Sequence, residues 1–274
     1  MQRHIPKALV FWAAAALAWT AAPARAADCG DSAEGFQAWL EDFRQVAIND
    51  GVSPEVVDQT LATASFDRSV LAHDQSQGAL QGNYRSFAAG HITAGRIKQG
   101  KTMMLAYAEP LERIEQRFGV PAAVLVAIRG LETDFGASLG RYSTFSALAT
   151  LAYDCRRSNL YRAELIDAMM IVQRGLLSAR QMRGAWAGEL GQTQFMPSAY
   201  LKYGVSANGG RGGNLIGSGA DALASTGNFL SQHGWQRGGG WNPGEPNFAA
   251  LLEWNKAEVY AKTIAEFADR LQEP

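Results

Sequence analysis

Ala122-Ala123-Val124-Leu125-Val126-Ala127-Ile128-Arg129-Gly130-Leu131-Glu132-Thr133-Asp134-Phe135-Gly136 is the stretch on which the fold turns. It follows Gly119-Val120-Pro121, a break that places proline where a helix starts. The spacing predicts a strongly apolar helix over 122–133, ended just before the glycine at 136. Glu132 stands at the end of that helix. Apolar surroundings disfavour its carboxylate form, and the negative end of the helix dipole opposes a further negative charge. A carboxylic acid still protonated near neutral pH is what a general acid needs to protonate a glycosidic oxygen. Asp134 is a poor second catalytic group, because two helical steps carry it to nearly the opposite face.

Outward from this stretch the chain reads as mainly helical. Phe36, Trp39, Leu40, Phe43 and Val46 follow the spacing of one helix face. Asp50-Gly51-Val52-Ser53-Pro54 is a stop followed by a Ser cap and a Pro in the first turn, with Val56, Val57, Thr60 and Leu61 continuing a second helix. A helical pattern runs over 96–118, with Pro110 marking a break. Further helices are expected over 144–153, 160–174, 198–203, 221–232 and 259–271. Seven glycines between Gly204 and Gly219 make a permissive loop. It has no preceding strand and no Gly-Lys-Ser/Thr ending, so a phosphate cradle is a weak reading.

A second cluster, Gly184-Ala185-Trp186-Ala187-Gly188-Glu189-Leu190-Gly191-Gln192-Thr193-Gln194-Phe195-Met196-Pro197-Ser198, lets the backbone approach closely and offers Gln194 as donor and acceptor to a sugar. Phe195 and Met196 read as ordinary core. Other chemistries lack their local signatures. The histidines, His4, His73, His91 and His233, form no metal pair at helical spacing, and no Gly-x-Ser-x-Gly elbow occurs.

Composition narrows the class. The 274 residues are 47% hydrophobic and 19% charged, which excludes a disordered chain and supplies one large core or two modest ones. A formal net charge of −1 argues against a polybasic nucleic-acid binder. Arg3, His4 and Lys7 precede an apolar run from Ala8 to Trp19 and small residues at Ala24 and Ala26, the pattern of a signal peptide cut after Ala26. Removing 1–26 removes three basic residues and no acid. That leaves 22 basic against 26 acidic residues, so bulk charge would not draw the mature chain to an anionic wall. Export makes a bridge between the two cysteines, Cys29 and Cys155, the expected state.

Taken in order, Gly130-Leu131-Glu132-Thr133 with Gly136, Ala147-Leu148-Ala149-Thr150-Leu151, and Ala187-Gly188 to Gly191 with Gln194-Phe195-Met196-Pro197-Ser198 resemble lytic murein transglycosylases of the membrane-bound B type. The resemblance continues through His233-Gly234-Trp235, Asn255 and Tyr260, and it is most specific over 120–200. It implies a mainly α, α+β lysozyme-like fold. The division it implies is a signal peptide at 1–26, an N-terminal helical segment at 27–110, a catalytic core at 111–240 and a segment at 241–274 packing back on the cleft. By the same resemblance Glu132 is the single acid/base that cleaves the bond between N-acetylmuramic acid and N-acetylglucosamine in peptidoglycan. The muramic C6 hydroxyl attacks C1 to leave a 1,6-anhydro product. No second carboxylate is then required, whereas a hydrolytic glycosidase normally uses two.

Gln194, Asn255 and Tyr260 are the implied substrate-side residues, with Trp186 as a candidate for stacking on sugar. Some members of the group hold serine where Ala185 stands, and some carry an EF-hand-like calcium loop matching 205–223. No carboxylate occurs here between Gly204 and Gly219, so no metal site and no cofactor are expected. The partner implied is the glycan strand and the compartment is the periplasm. The enzymatic alternative is a lysozyme-type hydrolase in which Asp134, Asp154 or Glu189 helps activate water. A further alternative is a wall-binding protein without catalysis.

Overall fold

The computed structural model describes residues 29–76 and 83–274; the signal-peptide reading over 1–26 lies outside the described residues. Among the described residues thirteen helices and one two-stranded ribbon make a mainly α fold. No described helix is long and apolar enough to cross a membrane.

The N-terminal helices are α1 (Ala33–Asn49), α2 (Pro54–Leu61), α3 (Arg68–Ser76) and α4 (Tyr84–His91). Phe36, Trp39, Leu40 and Phe43 are buried along α1 as their spacing predicts. Ser53 caps α2 by accepting from the Val56 amide, with Pro54 at the first helical position. Next come α5 (Ala94–Ala106) and α6 (Ala108–Phe118). The break between them falls at Tyr107 and not at Pro110. Proline there occupies the first turn of α6, where an amide would have no intrahelical acceptor, so it costs nothing.

Helix α7 (Ala122–Thr133) is buried from Ala123 to Gly130 on every face and packs against α5, α6 and two later helices, α11 (Gly219–Gln232) and α13 (Glu258–Gln272). It ends through three successive residues with positive φ, Asp134 at 50°, Phe135 at 60° and Gly136 at 93°. A phenylalanine in this region is strained by about 1–3 kcal/mol. The strain is offset where the ring goes: Phe135 is buried edge-on to Phe267, and the Arg96 guanidinium lies over both rings. The turn also takes Asp134 off the helix and beside Arg96 at 3.4 Å.

The remaining elements are β1 (Tyr142–Ser143), α8 (Thr144–Tyr153), α9 (Ser158–Gln173), β2 (Arg183–Gly184), α10 (Pro197–Tyr203) and α12 (Phe248–Trp254). β1 and β2 pair antiparallel, Tyr142 opposite Gly184. Helix α8 is buried along its whole length.

Two cores result. One gathers α1, α2, α8, α9 and α10 around Trp39, Phe43, Phe145 and Leu148. The other gathers α6, α7, α11, α12 and α13 around Leu125, Ile128, Leu251 and Phe267. Phe229 and Trp254 pack against both cores and so mark the seam. A disulfide joins Cys29 to Cys155 across 126 residues, with Cα atoms 5.1 Å apart. It ties the start of α1 to the end of α8, where the Gly30 amide also donates to the Tyr153 carbonyl at 2.9 Å.

Candidate active site

The site lies at the seam. Glu132, in the last turn of α7, lines a cavity of about 330 Å³ together with Glu189, Gln194, Phe195, Trp254 and Asn255. Why these residues meet is set by α7 and the loop over 184–198. Arg129, one turn before Glu132, is buried and donates to the Gln192 side chain, while its Nη1 donates to the Met103 sulfur at 3.0 Å. The Thr133 hydroxyl donates to the Gln192 carbonyl at 2.6 Å. Gln192 donates in turn to the Ile216 carbonyl at 3.0 Å. Both ends of the last α7 turn are thus fastened to the loop, and Glu132 between them faces it.

The loop is folded tightly on itself. Leu190 bridges to Gly184 on one side and to Phe195 on the other. At Gly184 a Cβ would overlap the Glu189 carbonyl oxygen, so only glycine lets this strand approach. Gln194 has a φ of 51°, and its side-chain amide donates to the carbonyls of Gly191 at 2.7 Å and Leu139 at 3.3 Å. Its Oε1 is the atom left to offer a ligand.

The opposite wall comes from α12 and α13. Asn255 ends α12, and its Oδ1 accepts from the Ala257 amide at 3.0 Å, turning the chain into α13. That turn delivers Tyr260 to Glu132. The Tyr260 hydroxyl and the Trp254 indole N–H both donate to Glu132 Oε1, each at 2.9 Å. The Trp254 ring is held by edge contacts to Phe195 at 5.3 Å and Phe229 at 5.1 Å. With two donors on Oε1, a proton on Glu132 resides on Oε2.

Electrostatics follow from this packing. Loss of water raises the Glu132 pKa to about 7; the Trp254 and Tyr260 hydrogen bonds pull it down and the nearby Glu189 pushes it up. Glu189 is itself raised by burial, against the lowering effect of its own amide and that of Ala187, which donates at 3.1 Å. Burial also raises Tyr260 well above its ordinary value, so it remains a donor. A protonated Glu132 with one oxygen fixed and the other toward a cavity is arranged to give a proton to a bound acceptor and take one back.

Of the residues singled out in the sequence, Glu132, Gln194 and Asn255 line this cavity, and Tyr260 reaches its acid. Trp186 does not line it; the ring is half-buried and stacked on His73 at 6.0 Å. Trp235 and Trp241 stack on each other at 6.4 Å and donate to the Gly119 carbonyl and Asp269. Among the carboxylates considered for activating water, Asp154 is paired with Arg156 and Asp134 with Arg96, which leaves Glu189 as the one in the cavity.

Sequence reasoning missed Trp254, and it missed the Arg129–Gln192 link. A lone arginine inside an apolar helix was the available signal, since a buried guanidinium must find acceptors. Among the described residues no group of three or more His, Cys, Asp or Glu is placed to hold a metal ion. The glycine-rich loop does not fit calcium: its nearest carboxylate, Asp221, accepts from the Ala207 and Asn214 amides.

The family model described as Transglycosylase SLT domain matches residues 35–245. The membrane-bound lytic murein transglycosylase B of Escherichia coli (strain K12) is 33% identical over 164 residues, which are 57% of this chain and 45% of that protein. The match thus spans less than half the length of this curated relative. SltB3 from Pseudomonas aeruginosa in complex with NAG-anhNAM-pentapeptide superposes with a TM-score of 0.81 at 28% identity, covering 86% of this chain and 79% of that one. SltB1 from the same organism shares the fold at a TM-score of 0.77 and 23% identity, covering 85% of this chain and 97% of that one.

Proposed function

The chain belongs to the transglycosylase SLT domain family, and from that premise we propose that it is a lytic transglycosylase of peptidoglycan with Glu132 as its single acid/base. The observation that carries this reading is the state of Glu132: a carboxyl raised to about 7 by burial, held on Oε1 by Trp254 and Tyr260 at the wall of a cavity.

In the proposed sequence the protein contributes only proton transfers, and the glycosyl carbon passes from one substrate oxygen to another. Glu132 Oε2 gives its proton to the oxygen linking N-acetylmuramic acid to N-acetylglucosamine, and the C1–O bond breaks. The carboxylate then takes the proton of the muramic C6 hydroxyl as O6 bonds to C1. The product is a 1,6-anhydro sugar, Glu132 is protonated again, and no water is consumed. The Trp254 and Tyr260 donors stabilise the carboxylate between the two steps. Gln194 and Asn255 would contact the sugars on either side of the acid, and Trp186 only a sugar farther along the strand. The SltB3 complex with NAG-anhNAM-pentapeptide, in a relative superposing over most of this chain, supports the same choice of substrate. Export by the segment over 1–26 to the periplasm fits both that substrate and the Cys29–Cys155 bridge.

Glu189 supplies a second reading. Of the two further acids lining the cavity, Glu253 is paired with Lys256, so Glu189 is the group that would activate water if the enzyme were a hydrolase. Mass spectrometry of digested sacculi separates the two. The proposal expects muropeptides ending in anhydromuramic acid, each one water lighter than its hydrolytic counterpart. Reducing muramic ends would assign hydrolysis, and undigested sacculi would remove catalysis altogether.

A further inference from the structure

A second and larger cavity, of about 760 Å³, shares α10 and α11 with the Glu132 site but none of its lining residues. Arg117 at the end of α6, Arg174 capping α9, Lys202 in α10 and Arg211 in the glycine-rich loop line it, and no carboxylate does. Among the described residues none of the four lies within ion-pair distance of an acidic group. Arg117 and Lys202 rest instead over their neighbouring rings, Phe118 at 4.7 Å and Tyr203 at 4.9 Å. Four cations without a direct ion pair, of which Arg174 alone feels a nearby carboxylate, Asp167, thus meet in one concavity of a chain whose charges sum to −1. Such a concavity concentrates anions.

The glycines of the loop take part in building it. Gly212 has a φ of +74°, and a Cβ there would overlap Leu176 at the end of α9. Without one, the loop closes on Leu176 and carries Arg211 to the wall that holds Arg174. Leu176 and Leu201 then stand among the cations as apolar lining. Guanidinium forks match carboxylates, and apolar surface between them suits short hydrocarbon spacers.

We infer that this cavity binds an acidic peptide whose carboxylates are spaced by small apolar residues, the chemistry of the peptide stems on wall glycan. The inference rests on the reading of the Glu132 site as acting on peptidoglycan. The stem would be held outside the catalytic cavity, so the site would anchor cross-linked or peptide-bearing strands and not bare glycan.

Calorimetric titration of the full chain tests it with three probes: a free stem pentapeptide, the same peptide with its carboxylates amidated, and inorganic phosphate. The acidic peptide should bind saturably and weaken as salt is raised. Amidation, or the double substitution Arg174→Ala with Arg211→Ala, should weaken binding at least tenfold. The same double variant should cleave peptide-stripped glycan at the parental rate. Equal binding of both peptides, or parental affinity in the double variant, would overturn the inference. So would displacement of the peptide by equimolar phosphate, which would make the cavity a phosphate site. Binding is read without turnover, so this result stands or falls separately from the cleavage assay.

Discussion

Replacing Glu132 by glutamine should lower turnover of peptidoglycan by about a thousandfold, within the span attributed to a positioned general acid. The substitution is close to isosteric. The glutamine carbonyl oxygen accepts from Trp254 and Tyr260 where Glu132 Oε1 does, so the seam between the two cores keeps its geometry. What is lost is the proton on the second oxygen. Folding should therefore survive: the melting temperature should stay level at neutral pH, because a buried group that resists ionisation is exchanged for one that never ionises. Initial rates on purified sacculi, measured beside a thermal melt, check both halves. Activity within a few-fold of the parent would transfer the acid role to another group, with Glu189, the cavity acid that acts on Glu132 electrostatically, the first candidate.

The second large effect is on stability. The Cys29–Cys155 bridge closes a loop of 126 residues, and constraining so long a loop in the unfolded chain contributes about 5 kcal/mol. For a chain of this size that corresponds to roughly 15 °C in melting temperature. Cys29→Ser with Cys155→Ser, or reduction of the parent, should produce that drop in a calorimetric scan. Activity at room temperature should persist, because α1 remains docked through Phe36 and Trp39 against Tyr153, at ring distances of 5.6 and 5.8 Å. An unchanged melting temperature after reduction would contradict the assigned contribution.

Both predictions began with features readable in the chain, but the sequence showed them unequally. Helix α7 and its terminal Glu132 were legible because apolar density and a glycine break are local signals. So were α8 and the Ser53–Pro54 start of α2. Helix α3 was missed because only Val70, Leu71 and Asp74 are buried along it, too few to set a period. Helices α4 and α12 were missed because each is about two turns long and lacks the proline start that marks the equally short α2 and α10. The misplaced break at Pro110 reflects a rule that holds inside helices and lapses in their first turn.

The site shows the same division. Glu132 could be found from its neighbours in sequence, whereas Trp254 lies 122 residues and Tyr260 128 residues away. Tyr260 was reachable only through resemblance. Trp254 carries no local mark, since it becomes a donor to the acid only where two cores meet. Glu189 was visible as one of three possible water activators, and only the fold separates it from Asp134 and Asp154, which are held by Arg96 and Arg156.

The packing of α7 against the 184–198 loop and the α12–α13 turn keeps Glu132 protonated near neutrality. The direct measurement is the titration of its carboxyl, followed by carbon NMR in chain labelled at the glutamate side-chain carboxyl and assigned by comparison with Glu132→Gln. The expected result is a resonance titrating at about 7, well above the ordinary glutamate range near 4.3. A Glu132 carboxyl that titrates in that ordinary range would overturn it.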